Sequence, residues 1–335
     1  MIPDQWYVVL DSGQVKDRPI GATRLGERLV FWRDSQRRVH CARDKCVHRG
    51  VALSEGQVLG DHLQCPFHGL EYDASGRCVV IPANGRGSPV PRRFRVQGYP
   101  THEERGFIWI WWGERPPPDL GPPRFFDDID DGFTYGQVVD PWETHYSRAI
   151  ENQLDVMHLP FVHHNTIGRG GRTLVDGPVV RWLDDDRLRV YVFNRVDDGT
   201  PPRRPEELDL SRSVVHLDLI LPNLWQNHLA RQQRIVIAFV PVDADHTLLY
   251  LRSYQSFVRL PILRELVNRL AMPFNTLIAH QDRRVVQTQM PKASGLTIGE
   301  KLVQGDRPIV EYRRRRRQLI EAAQQKAASE EEHDR

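Results

Sequence analysis

Two short stretches restrict this chain more than anything else in it: Cys46-Val47-His48-Arg49-Gly50 and Cys65-Pro66-Phe67-His68-Gly69. Each holds one cysteine and one histidine, spaced C-x-H in the first and C-x-x-H in the second, and each closes on a glycine. The chain has four cysteines in 335 residues. That is too few for a disulfide scaffold, so the two that sit beside histidines point to metal binding in a reducing compartment. A structural zinc site is one reading, but Cys2His2 zinc sites usually group the cysteines in one knuckle and the histidines in another. One of each per loop suits a pair of irons bridged by sulfide, with both cysteines on one iron and both histidines on the other. Neutral imidazoles in place of two thiolates remove negative charge, so such a cluster accepts an electron more easily. Gly50 and Gly69 let the backbone approach closely, and Pro66 stiffens the second loop. Unrelated buried cysteines and histidines are the remaining reading. Cys41 and Cys78 lie outside the pattern and read as ordinary buried thiols.

The motifs CVHRG at 46–50 and CPFHG at 65–69 resemble the cluster loops of the Rieske non-haem iron oxygenases. Respiratory Rieske proteins carry two further cysteines in these loops. The matching places here hold Val51 and Phe67, which points to the oxygenase or ferredoxin type.

Around these loops the sequence reads as antiparallel β. Segments 6–10, 27–33 and 106–112 are short and rich in β-branched and aromatic residues. Asp73-Ala74-Ser75-Gly76 reads as a turn. The stretch ERPPPDLGPP at 114–123 reads as a linker, since proline cannot donate to a sheet ladder. Beyond it, Asp140-Pro141-Trp142-Glu143 has the form of a helix start, and Trp142, Tyr146, Ala149, Ile150, Leu154 and Met157 follow at helical spacing. Strands are expected at 213–221, 234–241 and 247–254, the last two joined by a turn at Val242-Asp243-Ala244-Asp245. A long helix is expected from Ile262 to Gln289, bent at Pro273, and a frayed polar tail after Gln324. The expectation is an α+β chain in two domains. Residues 1–115 form an antiparallel β cluster domain. Residues 116–335 form an antiparallel sheet with a long C-terminal helix and a polar C-terminal tail.

Within ENQLDVMHLPFVHH at 151–164, Asp155 and His158 are three apart and share a helix face. His158 and His163 would diverge on a continuous helix, but Pro160 ends it and lets His163 swing back. Two histidines and a carboxylate on one face of an iron leave its other positions open. The spacing D-x-x-H-x-x-x-x-H resembles the mononuclear iron motif of the same oxygenases. The resemblance implies His158, His163 and a carboxylate from the long C-terminal helix, here Asp282 in HQDRRVVQTQ, as iron ligands. His164 is the competitor of His163. Asp155 is expected to accept a hydrogen bond from His158. In the family the corresponding aspartate also bonds a cluster histidine of a neighbouring subunit, by position His68, and that implies a head-to-tail homotrimer. Asn152 matches a polar residue near the iron, and Glu151 reads as structural. Of five consecutive arginines at 313–317, the expectation is the solvated face of a helix rather than a dock for an acidic electron donor. His216 and Asp218 share one face of a strand. Like Trp225, Asn227 and Tyr254 they are open between pocket and elsewhere.

The net charge of +2 gives no broad field for nucleic acid or an anionic membrane. FIWIWW is too short to span a bilayer, and the start MIPDQWYVVL has no secretory pattern, so a cytoplasmic protein is expected. The resemblance covers nearly the whole chain and implies a helix-grip catalytic domain. It also implies a Rieske 2Fe-2S cluster at Cys46, His48, Cys65 and His68, a mononuclear non-haem Fe(II), and electrons from NAD(P)H through a ferredoxin or flavin reductase. The reaction is then attack by O2 on a small organic substrate, aromatic by expectation, in aromatic compound catabolism. The length and the helix motif resemble those of the dicamba and vanillate O-demethylases, so monooxygenation (hydroxylation or O-/N-demethylation) is the first expectation and ring cis-dihydroxylation the second. The rivals from other classes are a non-catalytic electron-transfer or redox-sensing protein and a zinc-stabilised lipid-binding module.

Overall fold

In a computed structural model the described residues are 1–113, 117, 121, 125–211, 213 and 215–333. The chain divides into two compact units. The first comprises Met1, Pro3–Phe125 and Pro241–Asp243; the second, Ile2, Phe126–Val240 and Ala244–Arg335. The linker expected at 114–123 lies almost wholly outside the described residues.

The first unit is built from three small antiparallel sheets. One pairs Gln5–Asp11 with Phe107–Trp112 and the latter with Thr101–Glu104. A second runs Ile20–Arg24, Glu27–Arg33, Val39–Arg43, Gly98–Tyr99, and a third runs Gln57–Leu59, His62–Gln64, Glu71–Tyr72, Cys78–Val80. The strand Glu27–Arg33 explains its own unbroken apolar run. Leu29 and Phe31 point into one core with Tyr7, Cys41 and Ile110, while Val30 and Trp32 point into another with Cys46, Cys65 and Tyr72. A strand buried on both faces has no polar alternation to show. The turn after Tyr72 is made by Asp73 Oδ1, which accepts from the backbone N–H groups of Ser75 and Arg77.

The second unit carries a seven-stranded sheet in the order Thr134–Trp142, Thr247–Gln255, Gln233–Pro241, Leu224–Ala230, His216–Ile220, Arg187–Arg195, Leu174–Trp182. Among the described residues four α-helices complete it: α1 (Tyr146–Leu154), α2 (Leu159–Val162), α3 (Pro261–Val286) and α4 (Arg307–His333). Helix α3 lies so close to the edge strand at Gly136 that a side chain there would collide with the Asn268 carbonyl oxygen. Pro273 lies inside α3.

Several expectations change. Asp140-Pro141-Trp142 does not start a helix. It ends the strand Thr134–Trp142, with Pro141 opposite Leu248. That strand is the sheet's edge, where proline's missing N–H costs no ladder bond. Trp142 is buried as the spacing predicts, but Asp140 takes Trp142 Nε1–H and Arg283 Nη1–H instead of capping. The cap of α1 is His145, whose Nδ1 accepts from the Ser147 N–H. The strands Leu174–Trp182, Arg187–Arg195 and Leu224–Ala230 were not expected. The first contains Asp176, Gly177 and Pro178 at a register shift on the other edge strand, and breakers there hide a strand from pattern reading. Helix α4 runs on to His333, where a frayed tail was expected. Its arginine run is not one solvated face. Successive residues on a helix turn by about 100°, so one of the five must face inward, and Arg313 does, with 4% of its surface exposed. Its guanidinium binds both oxygens of buried Glu151 at 2.7 Å and Glu300 at 2.7 Å. Glu151 also meets Arg148 at 3.2 Å, which fastens α1 to α4.

Candidate functional site

The two cysteine–histidine loops fold alike. In each, the glycine N–H donates to the cysteine carbonyl four residues back, Gly50 to Cys46 and Gly69 to Cys65. In each, the cysteine N–H donates to the carbonyl five residues on, at Val51 and Leu70. Both glycines have positive φ, 74° and 73°, a conformation that glycine alone adopts freely. The loops leave Cys46 and Cys65 buried and His48 and His68 exposed. The imidazole rings stand edge to face with centroids 4.7 Å apart. Cys46 Sγ lies 3.1 Å from the Tyr72 hydroxyl. Burial above all pushes the Cys65 thiol up, and the neighbouring Cys46 adds to that. A buried sulfur pair beside an exposed imidazole pair is the division of ligands that a cysteine-bound inner iron and a histidine-bound outer iron require. Buried Asp44 anchors the first loop by accepting from Arg28 Nε, Ser54 N–H and Ser54 Oγ–H. Cys41 and Cys78 are buried free thiols.

In the second unit α1 ends at Asp155, and Pro160 opens the single turn α2. This places His158 before that turn and His163 after it, both facing α3. His158, His163 and Asp282 offer donor atoms that all lie within 4.8 Å of one another, and no other such group of three occurs among the described residues. Asp282 Oδ1 is 3.0 Å from His163 Nε2 and 3.5 Å from His158 Nε2. Two amides hold the carboxylate: Asn152 Nδ2 donates to Oδ1 at 3.2 Å and Gln153 Nε2 to Oδ2 at 3.4 Å. Gln281 Oε1 lies 2.8 Å from His163 Nδ1 and also accepts from Thr166 Oγ1 at 2.8 Å. A proton on Nδ1 for that bond leaves the His163 Nε2 lone pair aimed at the centre of the group. Burial works against a charged His163, but Asp282 overrides it and holds the ring's pKa above its ordinary value.

Asp155 stands apart from the three. Its Oδ1 accepts from the Met157 N–H, and its Oδ2 is 3.8 Å from His158 Nδ1, beyond hydrogen-bond reach. Among the described residues His158 Nδ1 is buried without a hydrogen-bond partner. Burial raises the Asp155 pKa, yet the nearby His158 ring brings it below the usual carboxylate range. His164 is exposed, its Nδ1 toward the Phe161 carbonyl, and outside the group. The three donors border a cavity of about 740 Å³, a size that suits a small organic ligand. Phe193, Leu217 and Ile278 are among its walls, and His216, Trp225 and Asn227 line it too. Asp218 is not in the lining; it is buried between Arg187 and Arg189. Tyr254 is buried against Tyr135. Gln281, Gln153 and Tyr72 carried no signal in the sequence, because their partners lie far along the chain and an amide or a phenol belongs to no metal motif.

Comparison with known proteins bears on both sites. Residues 5–100 match the Rieske 2Fe-2S domain, and residues 142–322 match the Vanillate O-demethylase oxygenase C-terminal domain. Over 167 residues the chain is 34% identical to chlorophyllide a oxygenase of Chlamydomonas reinhardtii, covering 49% of this chain and 25% of that protein. It is likewise 34% identical over 167 residues to the oxygenase component of dicamba O-demethylase of Stenotrophomonas maltophilia, covering 48% of each. The chain thus spans half or less of these curated relatives. The crystal structure of dicamba monooxygenase bound to dicamba superposes with a TM-score of 0.74 over 98% of this chain and 99% of that one, at 21% identity, a likeness of fold.

Proposed function

Because this chain belongs to the family that joins a Rieske 2Fe-2S domain to a vanillate O-demethylase-type oxygenase C-terminal domain, we propose that it is a Rieske monooxygenase that hydroxylates or demethylates a small, apolar, aromatic-sized substrate. The observation that carries this reading is the convergence of His158, His163 and Asp282 beside a cavity of about 740 Å³, in a chain that also holds the paired cysteine–histidine loops. Cys46, His48, Cys65 and His68 hold the 2Fe-2S cluster, and His158, His163 and Asp282 hold one Fe(II). When bound, the cluster supplies electrons and the Fe(II) supplies oxygen activation.

The chain's own residues do the rest. Gln281 keeps the His163 tautomer, while Asn152 and Gln153 keep the Asp282 carboxylate turned toward the histidines. The apolar walls hold the substrate body and keep bulk water from the reacting carbon. Asp155 serves as the link to His68 of a neighbouring copy. Its support is that His68 is exposed on its loop and that the Asp155 side chain keeps 28% of its surface. That reading makes the assembly a homotrimer, served by a ferredoxin or flavin reductase that draws on NAD(P)H.

The test is an anaerobic purification followed by metal and sulfide analysis. Then O2 uptake and formaldehyde release are measured with a surrogate reductase over methoxy, N-methyl and unsubstituted aromatic compounds. A 2Fe-2S cluster plus one further iron per chain, with formaldehyde from a methoxy or N-methyl compound, is the expected result. Zinc without acid-labile sulfide ends the oxygenase reading, and a cis-diol from an unsubstituted ring moves it to dihydroxylation.

A further inference from the structure

Helix α3 is docked with its polar side inward. A helix at a protein surface ordinarily turns its apolar side to the core. In the first half of α3 the buried residue is an amide, Asn268, with 3% of its surface exposed. Its Nδ2 donates to Thr134 Oγ1 at 3.1 Å, and its Oδ1 accepts from Gln255 Nε2 at 3.2 Å. Six large apolar side chains of the same helix, Ile262, Leu263, Leu266, Leu270, Phe274 and Leu277, are between 46% and 89% exposed. At about 100° per residue they fall within one arc of about 120°, on the side of the helix opposite Asn268. The stripe is about 22 Å long. A contiguous apolar surface of this kind marks a place where another surface sits.

The free charge along this helix has one sign. Arg259, just before it, and Arg264 and Arg284 on it are exposed, with no ion-pair partner among the described residues. The exposed acid of α3, Glu265, is already bound to Arg269 at 2.8 Å. This decides between the surfaces that could cover the stripe. Pairing the stripe with itself across a two-fold axis would set arginines against arginines. The cluster loop that a trimer would bring to Asp155 is basic too, with Lys45 and Arg49 exposed. A bilayer with anionic headgroups over an apolar interior complements both the charge and the apolar stripe. Among the described residues no helix is built to cross it, so α3 would lie along its surface, with the arginine heads reaching out to the phosphates.

We propose that the outer face of α3 is a peripheral docking surface for an anionic lipid bilayer. The six apolar side chains enter the boundary between headgroups and acyl chains, and Arg259, Arg264 and Arg284 hold lipid phosphates. The net charge of +2 gives the chain no broad field for such a surface. The attraction here is local to one helix and acts within about 10 Å of it. Apolar burial supplies the rest of the binding. This surface stands independently of how the cavity and the iron ligands are read.

The test is sedimentation of the holoenzyme with vesicles of phosphatidylcholine alone and of phosphatidylcholine with phosphatidylserine. Affinity for the anionic vesicles should be higher by about tenfold or more, and the excess should shrink as salt is raised. L266E/L270E/F274E places charges at exposed positions on the outer side of the helix and should abolish binding. R259Q/R264Q should weaken binding to the anionic vesicles by about tenfold. R314Q/R317Q removes the same charge from exposed positions of α4 and should leave binding as it was. The assembly state of each protein is measured without lipid by analytical ultracentrifugation. No binding to either vesicle, equal binding to both, or a loss in R314Q/R317Q as large as in R259Q/R264Q overturns the proposal. So does a change of assembly state in L266E/L270E/F274E without lipid, which would give the face to a second copy of the chain.

Discussion

At the scale of single residues, the candidate iron site depends on atoms that do not touch the metal position. The two histidines need a lone pair at Nε2, and an imidazole provides one there only if its other nitrogen carries the proton. For His163 that condition is met by Gln281, whose Oε1 is 2.8 Å from Nδ1. The same amide group is held in turn, its Nε2 donating to Asn165 Oδ1 at 2.8 Å. Replacing Gln281 by Leu keeps bulk and removes the acceptor. The expected result is a loss of about 10–100-fold in affinity for the mononuclear iron, the usual scale for a lost partner of a metal-bound histidine. The check is the iron-to-sulfide ratio after dialysis against a chelator, with the cluster's absorbance unchanged. Iron retention equal to that of the unaltered protein would remove Gln281 from the site. The sequence showed the three donor residues but not this amide, since His163 and Gln281 meet only through the packing of α2 on α3.

At the scale of elements, α1 is the piece whose position matters most, because it carries Asn152 and Gln153 and leads into Asp155 and His158. Its far end is tied to α4 by buried Glu151, Arg148 and Arg313. Its start is capped by His145, an unusual cap whose Nδ1 accepts from the Ser147 N–H and lies 2.7 Å from Ser147 Oγ. Burial above all, with the charges of Arg316 and Arg148 adding to it, pushes the His145 pKa down from 6.5 to about 3. The folded ring therefore stays neutral where the unfolded ring takes up a proton. Stability from this group is fully present above pH 6.5 and is lost as the pH falls toward about 3, at no more than ~1.4 kcal/mol per pH unit. His145→Asn keeps a capping side chain and removes the titration. The gap in Tm between the two proteins should narrow, or reverse in favour of the variant, from about pH 7 to about pH 4. A gap that does not move with pH would show that His145 is not held neutral.

At the scale of the whole molecule, the proposed homotrimer makes a prediction that no single-chain reading makes. Asp155→Asn disables the link beside His158, and His68→Ala disables the cluster side. Each variant alone should form no product. Co-expressed, they should form mixed trimers in which a chain with an intact cluster neighbours a chain with an intact Asp155, and product should reappear. If His68 and Asp155 work within one chain, every mixture stays inactive. The amount of product and the iron and sulfide content of the mixed assembly are the measurements. Among the described residues no helix is long and apolar enough to cross a membrane.

Local spacing, read together with the family resemblance, was enough to name the candidate ligands. The paired Cys–His loops and the D-x-x-H-x-x-x-x-H run are short-range patterns, because ligands on one loop or one helix turn must sit a fixed number of residues apart. The strand LVFW and the helix period around Tyr146 were legible for the same reason. What spacing does not hold is anything decided by which surfaces meet. Pro141 reads as a helix start until the sheet puts it on an edge. The arginine run reads as solvated until α4 turns Arg313 onto Glu151. Arginines look alike in sequence, and only the fold shows that Arg195 and Arg203 are matched by buried Asp176. Charge compensation is set by distances of a few ångströms between residues far apart in the chain, and only tertiary packing sets those distances.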